Sequence, residues 1–403
     1  MKGKKDIGKA VLAVFFLAMI YIIGIKSDPY MTFADTITMI GKNLKGDLDT
    51  DGVTVNEVKE NYADDMWLKS QLINLNGVVA SSLNMKGYYS SQGIYVTDER
   101  YIVSSYPETT TDYEYEQLVD FKEYLDEKEI NLLYVSAPAK YLDDEFVKDE
   151  FGIQSYSNQN TDLFLQRISG AGIDYIDLRE NIQKEEMNIY DMFYRTDHHW
   201  TTRSGLWATR IIAEAMNEKC GYNIDMSIYD SDNYKYTEYE DSWLGEQGRK
   251  LAVSYVGLDD YELIEPMFDT SFIVENASGV QEGTFDIMID KSRLSADADV
   301  YNIPSWHYTY MPSGIHESAI HNNNVTDGKK ILVLADSYSH VVVPFLSLGV
   351  SDVETLVLRS YDESLREYIE ENEFDTVLVI YAQFMIGAHD DPASANYDMF
   401  DFR

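Results

Sequence analysis

Asp197, His198 and His199 stand together in the stretch "RTDHHWTTR" (195–203) of a chain with only seven histidines in 403 residues, so abundance does not account for the pair. An Asp-x-His spacing has a chemical use: the carboxylate can fix the tautomer of the imidazole and stabilise its protonated form while the ring takes a proton from a nucleophile. If 197–199 is extended, Asp197 and His199 face one side and His198 the other. His199 is then the candidate base, Asp197 its orienting group, and His198 a neighbour that packs or lines the substrate. The nucleophile must come from elsewhere. Ser337 fits, because the strand-like "KKILVLA" runs directly into "DSYSHVVVPFL". A serine at the carboxyl end of a parallel strand, entering a helix, meets free N–H groups and the positive end of the helix dipole. Its hydroxyl is a weak nucleophile without a base in reach, and His199 could supply one. Both motifs also have plain structural uses. Asp-Ser after a strand is a common helix cap, and Asp-x-His can be a surface turn. No G-x-S-x-G elbow is present, which argues against an ordinary α/β-hydrolase.

Other arrangements are weaker. His316 and His321 in "HESAIH" are five apart, about 140° around a helix, whereas the zinc-protease motif needs four. Asp197, His198 and His199 could ligate a metal, but adjacent histidines in a strand diverge. We therefore expect no metal and no cofactor. "DLDTDG" (Asp47–Gly52) resembles the start of a calcium loop, yet its twelfth position is Val58, with Glu57 one place early.

The elements that must position these residues alternate. "TDYEYEQLVDFKEYLDEK" and "TDLFLQRISGAG" read as amphipathic helices, and "DESLREYIEENE" as a third. "INLLYVSAP", "IDYIDL", "KKILVLA", "VETLVLR" and "FDTVLVIYA" read as short buried strands. That alternation predicts an α/β domain with a largely parallel sheet. The region at about 222–310 is irregular and rich in Tyr, Asp, Ser and Gly, and reads as an insertion that could form a lid or bind substrate. Cys220 is the single cysteine, so no disulfide framework exists, and packing is its expected role.

Composition excludes disorder, with 45% apolar and 13% aromatic residues. The formal net charge of −38 repels polyanions, so no nucleic-acid partner is expected, and a neutral or cationic substrate is favoured unless a local patch overrides the average. Before Ala10, Lys2, Lys4, Lys5 and Lys9 precede sixteen apolar or small residues that end at Ile25. The expected order is a cytoplasmic tail at 1–8, a single transmembrane anchor at 9–26, a juxtamembrane linker at 27–60 and an extracytoplasmic domain at 61–403. A cleaved signal peptide is the rival reading, but no small-x-small cleavage site follows the apolar run.

"TDHHWTTRSG" and "ILVLADSYSHVVVPFL" together resemble the SGNH-type O-acetyltransferases of polysaccharide modification, the alginate-acetylation group. The similarity is greatest to the bacterial branch known as DHHW proteins. "VSAPAK" (135–140), "IDYIDLRE" (173–180) and "LGEQGR" (244–249) extend the resemblance over most of residues 60–390. It implies an SGNH-hydrolase-like three-layer domain in which Asp197, His199 and Ser337 form a catalytic triad. Ala335 stands where the family has glycine, and no counterpart of the SGNH asparagine is identifiable. That leaves the Ser337 N–H as the named oxyanion donor. The implied activity is O-acetyl transfer to an exopolysaccharide or cell-wall glycan at the bacterial cell surface. The implied partners are a membrane-bound O-acyltransferase that donates acetyl and a polysaccharide that accepts it. His198, Trp200 and Tyr338 are then candidates for sugar contact. A glycan acetyl-esterase with the same triad, and a non-catalytic glycan-binding or assembly protein, stay open as alternatives.

Overall fold

The computed structural model describes residues 68–87, 93–294, 300–301, 305–312, 314–326, 328–387 and 396–403. The tail, anchor, linker and Asp47–Gly52 loop expected above lie outside them. Among the described residues no helix is long and apolar enough to cross a membrane. The chain forms two compact units, Met1–Val79 and Ala80–Arg403. Of the first, the described part is helical from Lys69. The second holds every element considered below.

A short antiparallel pair, β1 (Ile94–Val96) and β2 (Ile102–Ser104), opens the second unit. Then come α1 (Asp112–Glu127), β3 (Asn131–Ala137), α2 (Asp144–Phe151), α3 (Ser157–Gly170), β4 (Asp174–Asp177), α4 (Leu178–Lys184) and α5 (Thr202–Lys219). Next are β5 (Tyr234–Trp243), α6 (Glu246–Leu251), β6 (Asp259–Pro266), β7 (Phe272–Asn276), β8 (Gly279–Gly283) and β9 (Glu317–Asn322). The chain closes with β10 (Lys330–Ala335), α7 (Ser339–Leu346), β11 (Asp352–Leu356), α8 (Leu365–Asn372) and β12 (Thr376–Ala382).

Among the described residues eight strands make the main sheet, in the order β4-β3-β12-β10-β11-β9-β7-β8. The apolar runs read as strands form its parallel part, β4 through β11. Every residue of β12 is buried, as are all but the first of β3 and β10. Strands buried along their whole length must be covered on both faces, as a three-layer fold requires. The expectation of a largely parallel sheet needs correction, because β9, β7 and β8 continue it antiparallel. The sheet is mixed. The physical reason lies in the region read as irregular. Its "FIVEN" and "GVQEG" segments are too short and polar to stand out by periodicity, but they pair as a hairpin that docks on β9. A second part of the same region, β5 with β6, forms its own two-stranded sheet. Cys220 is buried just after α5, where burial pushes its thiol up to about 11.

β10 is the switch point of the parallel part. From β3 the chain steps outward to β4, whereas from β10 it steps the other way to β11 and then crosses back to β12. In open α/β sheets ligands bind beyond the carboxyl ends of the strands at such a point. Ser337 lies there.

Candidate active site

The exit of β10 is fixed by Asp336. Its buried carboxylate accepts the N–H of Tyr338 at 2.9 Å and that of Ala382, at the end of β12, at 2.6 Å. Burial pushes Asp336 up to about 6. The two bonds tie the strand-to-helix corner to the neighbouring strand and leave Ser337, partly exposed, at its tip. The Ser337 N–H donates to nothing among the described residues, and α7 begins two positions on.

The second part is the loop closed by an antiparallel bridge between Phe193 and Trp200. Residues 197–199 are not extended, contrary to the sequence expectation. They form a bend in which Asp197 Oδ1 accepts the backbone N–H of His199 at 3.0 Å and the ring Nδ1 at 2.6 Å. His199 Nε2 is 2.8 Å from Ser337 Oγ. A hydrogen on Nδ1, facing the carboxylate, leaves the Nε2 lone pair for the serine hydroxyl; this network assigns the tautomer. Asp197 is fully buried. Burial alone would raise its pKa, but His199 and its hydrogen bond, with His198 beside it, hold the carboxyl well below the usual range.

Three distant segments shape that bend. Lys140, the last residue of "VSAPAK", is buried and donates to the carbonyls of Tyr194 (2.7 Å), Arg195 (3.0 Å) and Asp197 (2.7 Å). Burial lowers its ammonium to about 7. Asp259, at the start of β6, accepts from the N–H groups of Arg195 and Thr196 and from the Thr196 hydroxyl. From "LGEQGR", the Glu246 N–H donates to Asp197 Oδ2 at 2.7 Å, Gly245 N–H to Thr196 Oγ1 at 2.8 Å, and Gly248 N–H to the Thr196 carbonyl at 2.8 Å. A Cβ on Gly245 would fall 2.4 Å from Asp197 Cβ and 2.6 Å from the Thr196 carbonyl oxygen, so no side chain fits there.

The candidates for sugar contact divide. Trp200 is fully buried, and its Nε1–H donates to the Tyr338 carbonyl at 3.1 Å. Tyr338 is buried as well, and its hydroxyl donates to the His198 carbonyl at 2.6 Å. Neither side chain can reach a ligand; both join the histidine loop to the start of α7, and this corrects the expectation. His198 keeps 28% of its side chain exposed. Its ring lies 3.9 Å from that of His199 rather than pointing away, because the backbone turns. Burial and the neighbouring His199 push its pKa down.

His307 was not legible in the sequence. It sits in the insertion, in a short turn at Trp306–Thr309, and its ring stacks on His199 at 3.6 Å between centroids and 14° between planes. Its Nε2 lies 2.5 Å from the Ser337 carbonyl oxygen, and burial holds it neutral, well below the ordinary histidine range. The one available signal was a rare histidine inside an aromatic run, "SWHYTY", without a spacing that links it to Ser337. His340, on α7, is also buried and pushed down to about 3. A cavity of about 330 Å³ opens beside Ser337, walled in part by Tyr308, Ile315, His340 and Val357.

Donor atoms of Asp197, His198 and His199 lie within 4.8 Å of one another. Both Asp197 oxygens and both His199 nitrogens are already committed to the hydrogen bonds above. His316 and His321 do not converge: the first meets Ser360 and the second Asp352, across the β9–β11 pairing.

Residues 94–241 match a family described as the SGNH hydrolase-like domain of the acetyltransferase AlgX. The matched segment contains the Asp197–Trp200 motif and ends before Ser337. No match was found among curated proteins. Among solved structures, PatB1 of Bacillus cereus, determined with a sulfonyl adduct, is 20% identical, with 77% of this chain and 98% of that chain covered at a TM-score of 0.61. A DHHW family protein from Eubacterium siraeum is 18% identical, with 75% and 93% covered at a TM-score of 0.55. Both share the fold. The chain thus resembles the SGNH-like acetyltransferases of the AlgX type, the group its Asp-His-His-Trp motif implied.

Proposed function

We propose that this chain is an O-acetyltransferase that moves acetyl groups to a glycan hydroxyl through an acyl-enzyme on Ser337. The observation that carries the reading is the hydrogen-bonded line from Asp197 through His199 to Ser337, at the switch point of the sheet. Ser337 Oγ attacks the carbonyl carbon of an acetyl ester as its proton passes to His199 Nε2. The tetrahedral oxyanion is met by the Ser337 N–H, which has no partner among the described residues. The ester C–O bond then breaks, and the leaving oxygen takes the proton from His199. In the second half an acceptor hydroxyl gives its proton to Nε2 while its oxygen attacks the acyl carbon, and Ser337 Oγ leaves with that proton. Asp197, held as a carboxylate by three N–H donors, keeps Nε2 free to accept in both halves.

In this reading residues 9–26 anchor the chain with its catalytic domain outside the cytoplasm. A membrane-bound O-acyltransferase supplies the acetyl group. A run of sixteen apolar or small residues is short of the about 20 that a membrane-spanning helix takes, and flanking lysines can extend such a run.

The test uses the purified full chain with a chromogenic acetyl ester and intact-mass detection, with and without oligosaccharide acceptors. An acetyl adduct on Ser337 that drains faster to sugar than to water, and is absent in Ser337→Ala and His199→Ala, is the expected result. Drainage to water alone makes the protein an esterase. No adduct from any ester or from the co-expressed acyltransferase leaves a glycan-binding protein.

A further inference from the structure

The cavity beside Ser337 has a charge opposite to that of the chain. The sequence holds 70 acidic residues against 32 basic ones. Even so, the described lining of the cavity includes Arg293, Arg359 and His316 and no carboxylate. Arg293 donates through Nε to Asp290 at 3.1 Å, while its terminal nitrogens donate to nothing among the described residues. Arg359 lies just past β11, in the short turn Leu358–Ser360, and is exposed. Among the other described arginines, Arg167, Arg179, Arg203, Arg210, Arg366 and Arg403 pair with carboxylates, while Arg100, Arg195 and Arg249 donate to a hydroxyl or a backbone carbonyl. The Arg359 guanidinium has no such partner among the described residues. Its positive field reaches Asp336, which precedes the serine, and Tyr308 on the cavity wall.

A guanidinium left unpaired at a reactive serine is an open fork for a carboxylate or phosphate, which it can grip with two parallel hydrogen bonds. The acetyl group itself is small and neutral and needs no such fork. At about 330 Å³ the cavity is at the lower end of ligand pockets, with room for about one sugar unit. We propose that it takes an anionic substituent, a carboxylate or a phosphate, on the acceptor glycan, and so sets the acceptor hydroxyl in front of Ser337. This rests on the acyl-transfer reading above. It also reverses the expectation drawn from net charge: the whole molecule repels a polyanion at a distance, and two arginines in a cavity whose described lining holds no carboxylate attract one locally.

The experiment compares matched acceptors on the full chain, with a neutral chromogenic acetyl ester as donor. Methyl glucuronoside is set against its uncharged carboxamide, and methyl glucoside 6-phosphate against methyl glucoside. The readout is the ratio of acetyl-transfer kcat/KM within each pair. One guanidinium–anion pair gives a preference of about tenfold for the charged member. That preference falls to near unity in Arg359→Gln and in the double variant Arg293→Gln/Arg359→Gln, and shrinks as salt is raised. The pair that shows it tells carboxylate from phosphate, and either supports the proposal. Equal use of both members in both pairs, or a preference that survives Arg359→Gln, overturns it. Binding of the same four compounds to Ser337→Ala, followed by NMR titration, separates the two levels. If Ser337 is never acylated but the anion preference in binding is seen and depends on Arg359, the acyl-transfer reading fails and the anion site stands. If Ser337 is acylated and no preference is seen in transfer or binding, the anion site fails alone. Arg359 is exposed, so its single variant folds even where the double one does not.

Discussion

Gly245→Ala should disable the site without replacing any of its reacting groups. The added methyl carbon would lie 2.4 Å from Asp197 Cβ, 2.6 Å from the Thr196 carbonyl oxygen and 2.7 Å from Asp197 Oδ2. Ordinary carbon–carbon contacts are about 3.5–4.0 Å, so the two segments must part by roughly 1 Å. No flexible side-chain end is available to give way. Asp197 is held by its own backbone and by His199, and the Thr196 carbonyl accepts from Gly248. The opening therefore falls on the bonds across the gap, from Glu246 N–H to Asp197 Oδ2 and from Gly245 N–H to Thr196 Oγ1.

Losing a hydrogen bond to a buried carboxylate costs about 1.5–3 kcal/mol, and overpacking adds about 1–3 kcal/mol. We expect the unfolding free energy to drop by about 3–5 kcal/mol. At the site, a displacement of about 1 Å in the group that orients a base can cost about 100-fold in rate. The assay is the pre-steady-state acylation of Ser337 by a chromogenic acetyl ester, at a temperature where circular dichroism shows the variant folded. Gly248→Ala is the comparison. Its methyl would meet the Leu244 side chain at 2.6 Å and Thr196 Cβ at 2.8 Å, so it strains the same turn without pressing on Asp197. Acylation in Gly245→Ala within threefold of wild type, or equal losses in both glycine variants, would refute the claim that this turn acts through Asp197.

Three further outcomes follow from the same geometry. Lys140→Met removes the donor to the buried Tyr194 and Asp197 carbonyls and one of two donors to the Arg195 carbonyl, and should lower stability by about 3–5 kcal/mol in urea denaturation; a loss below about 1 kcal/mol would show that the turn holds itself. His307→Phe keeps a ring against His199 but takes the donor from the Ser337 carbonyl, so acylation should slow about tenfold in stopped-flow, and an unchanged rate would make His307 a spacer only. Acid should unfold the protein through its buried histidines. His198, His307 and His340 are pushed below the ordinary value of 6.5, so the unfolded chain binds protons that the fold refuses, and stability falls as pH drops through 6 toward 4. Asp336, raised to about 6, and Asp259, also raised by burial, work in the opposite sense. The three histidines outweigh them, so stability falls as pH drops, and His340→Gln should reduce the slope by about 1.4 kcal/mol per pH unit; an unchanged slope would place His340 in water.

The parallel half of the fold was legible because each of its strands is a run of buried apolar residues bounded by amphipathic helices, and such runs carry their own signal. The antiparallel half was not, since "GVQEG" is exposed and forms a strand only because "FIVEN" and β9 present a pairing edge. At the site, Asp197, His199 and Ser337 were legible because their chemistry needs those residue types at a strand end and at an Asp-x-His spacing. The direction of the rings was not. Extended geometry sends His198 away from His199, whereas the Asp197 carboxylate folds the backbone into a bend by accepting the His199 N–H. The burial of Trp200 and Tyr338 and the stacking of His307 come from contacts more than 100 residues apart in sequence, which no local pattern encodes.

Three motifs that look unrelated along the chain occur together for a physical reason. A carboxylate that must stay ionised in a dry site needs several N–H donors, and a bend of three residues can supply only its own. Asp197 takes its remaining donor from Glu246, at the start of α6. The bend then turns its carbonyls inward, where water cannot reach them, and each needs a donor that a single ammonium can give. Lys140 supplies three such bonds from the end of β3, at the same carboxyl edge of the sheet that carries Ser337 on β10. The turn amides left over are met by Asp259. "VSAPAK", "TDHHW" and "LGEQGR" are therefore parts of one hydrogen-bonded unit. Loss of the lysine or the glycine should resemble loss of Asp197 more closely than the distances along the chain suggest.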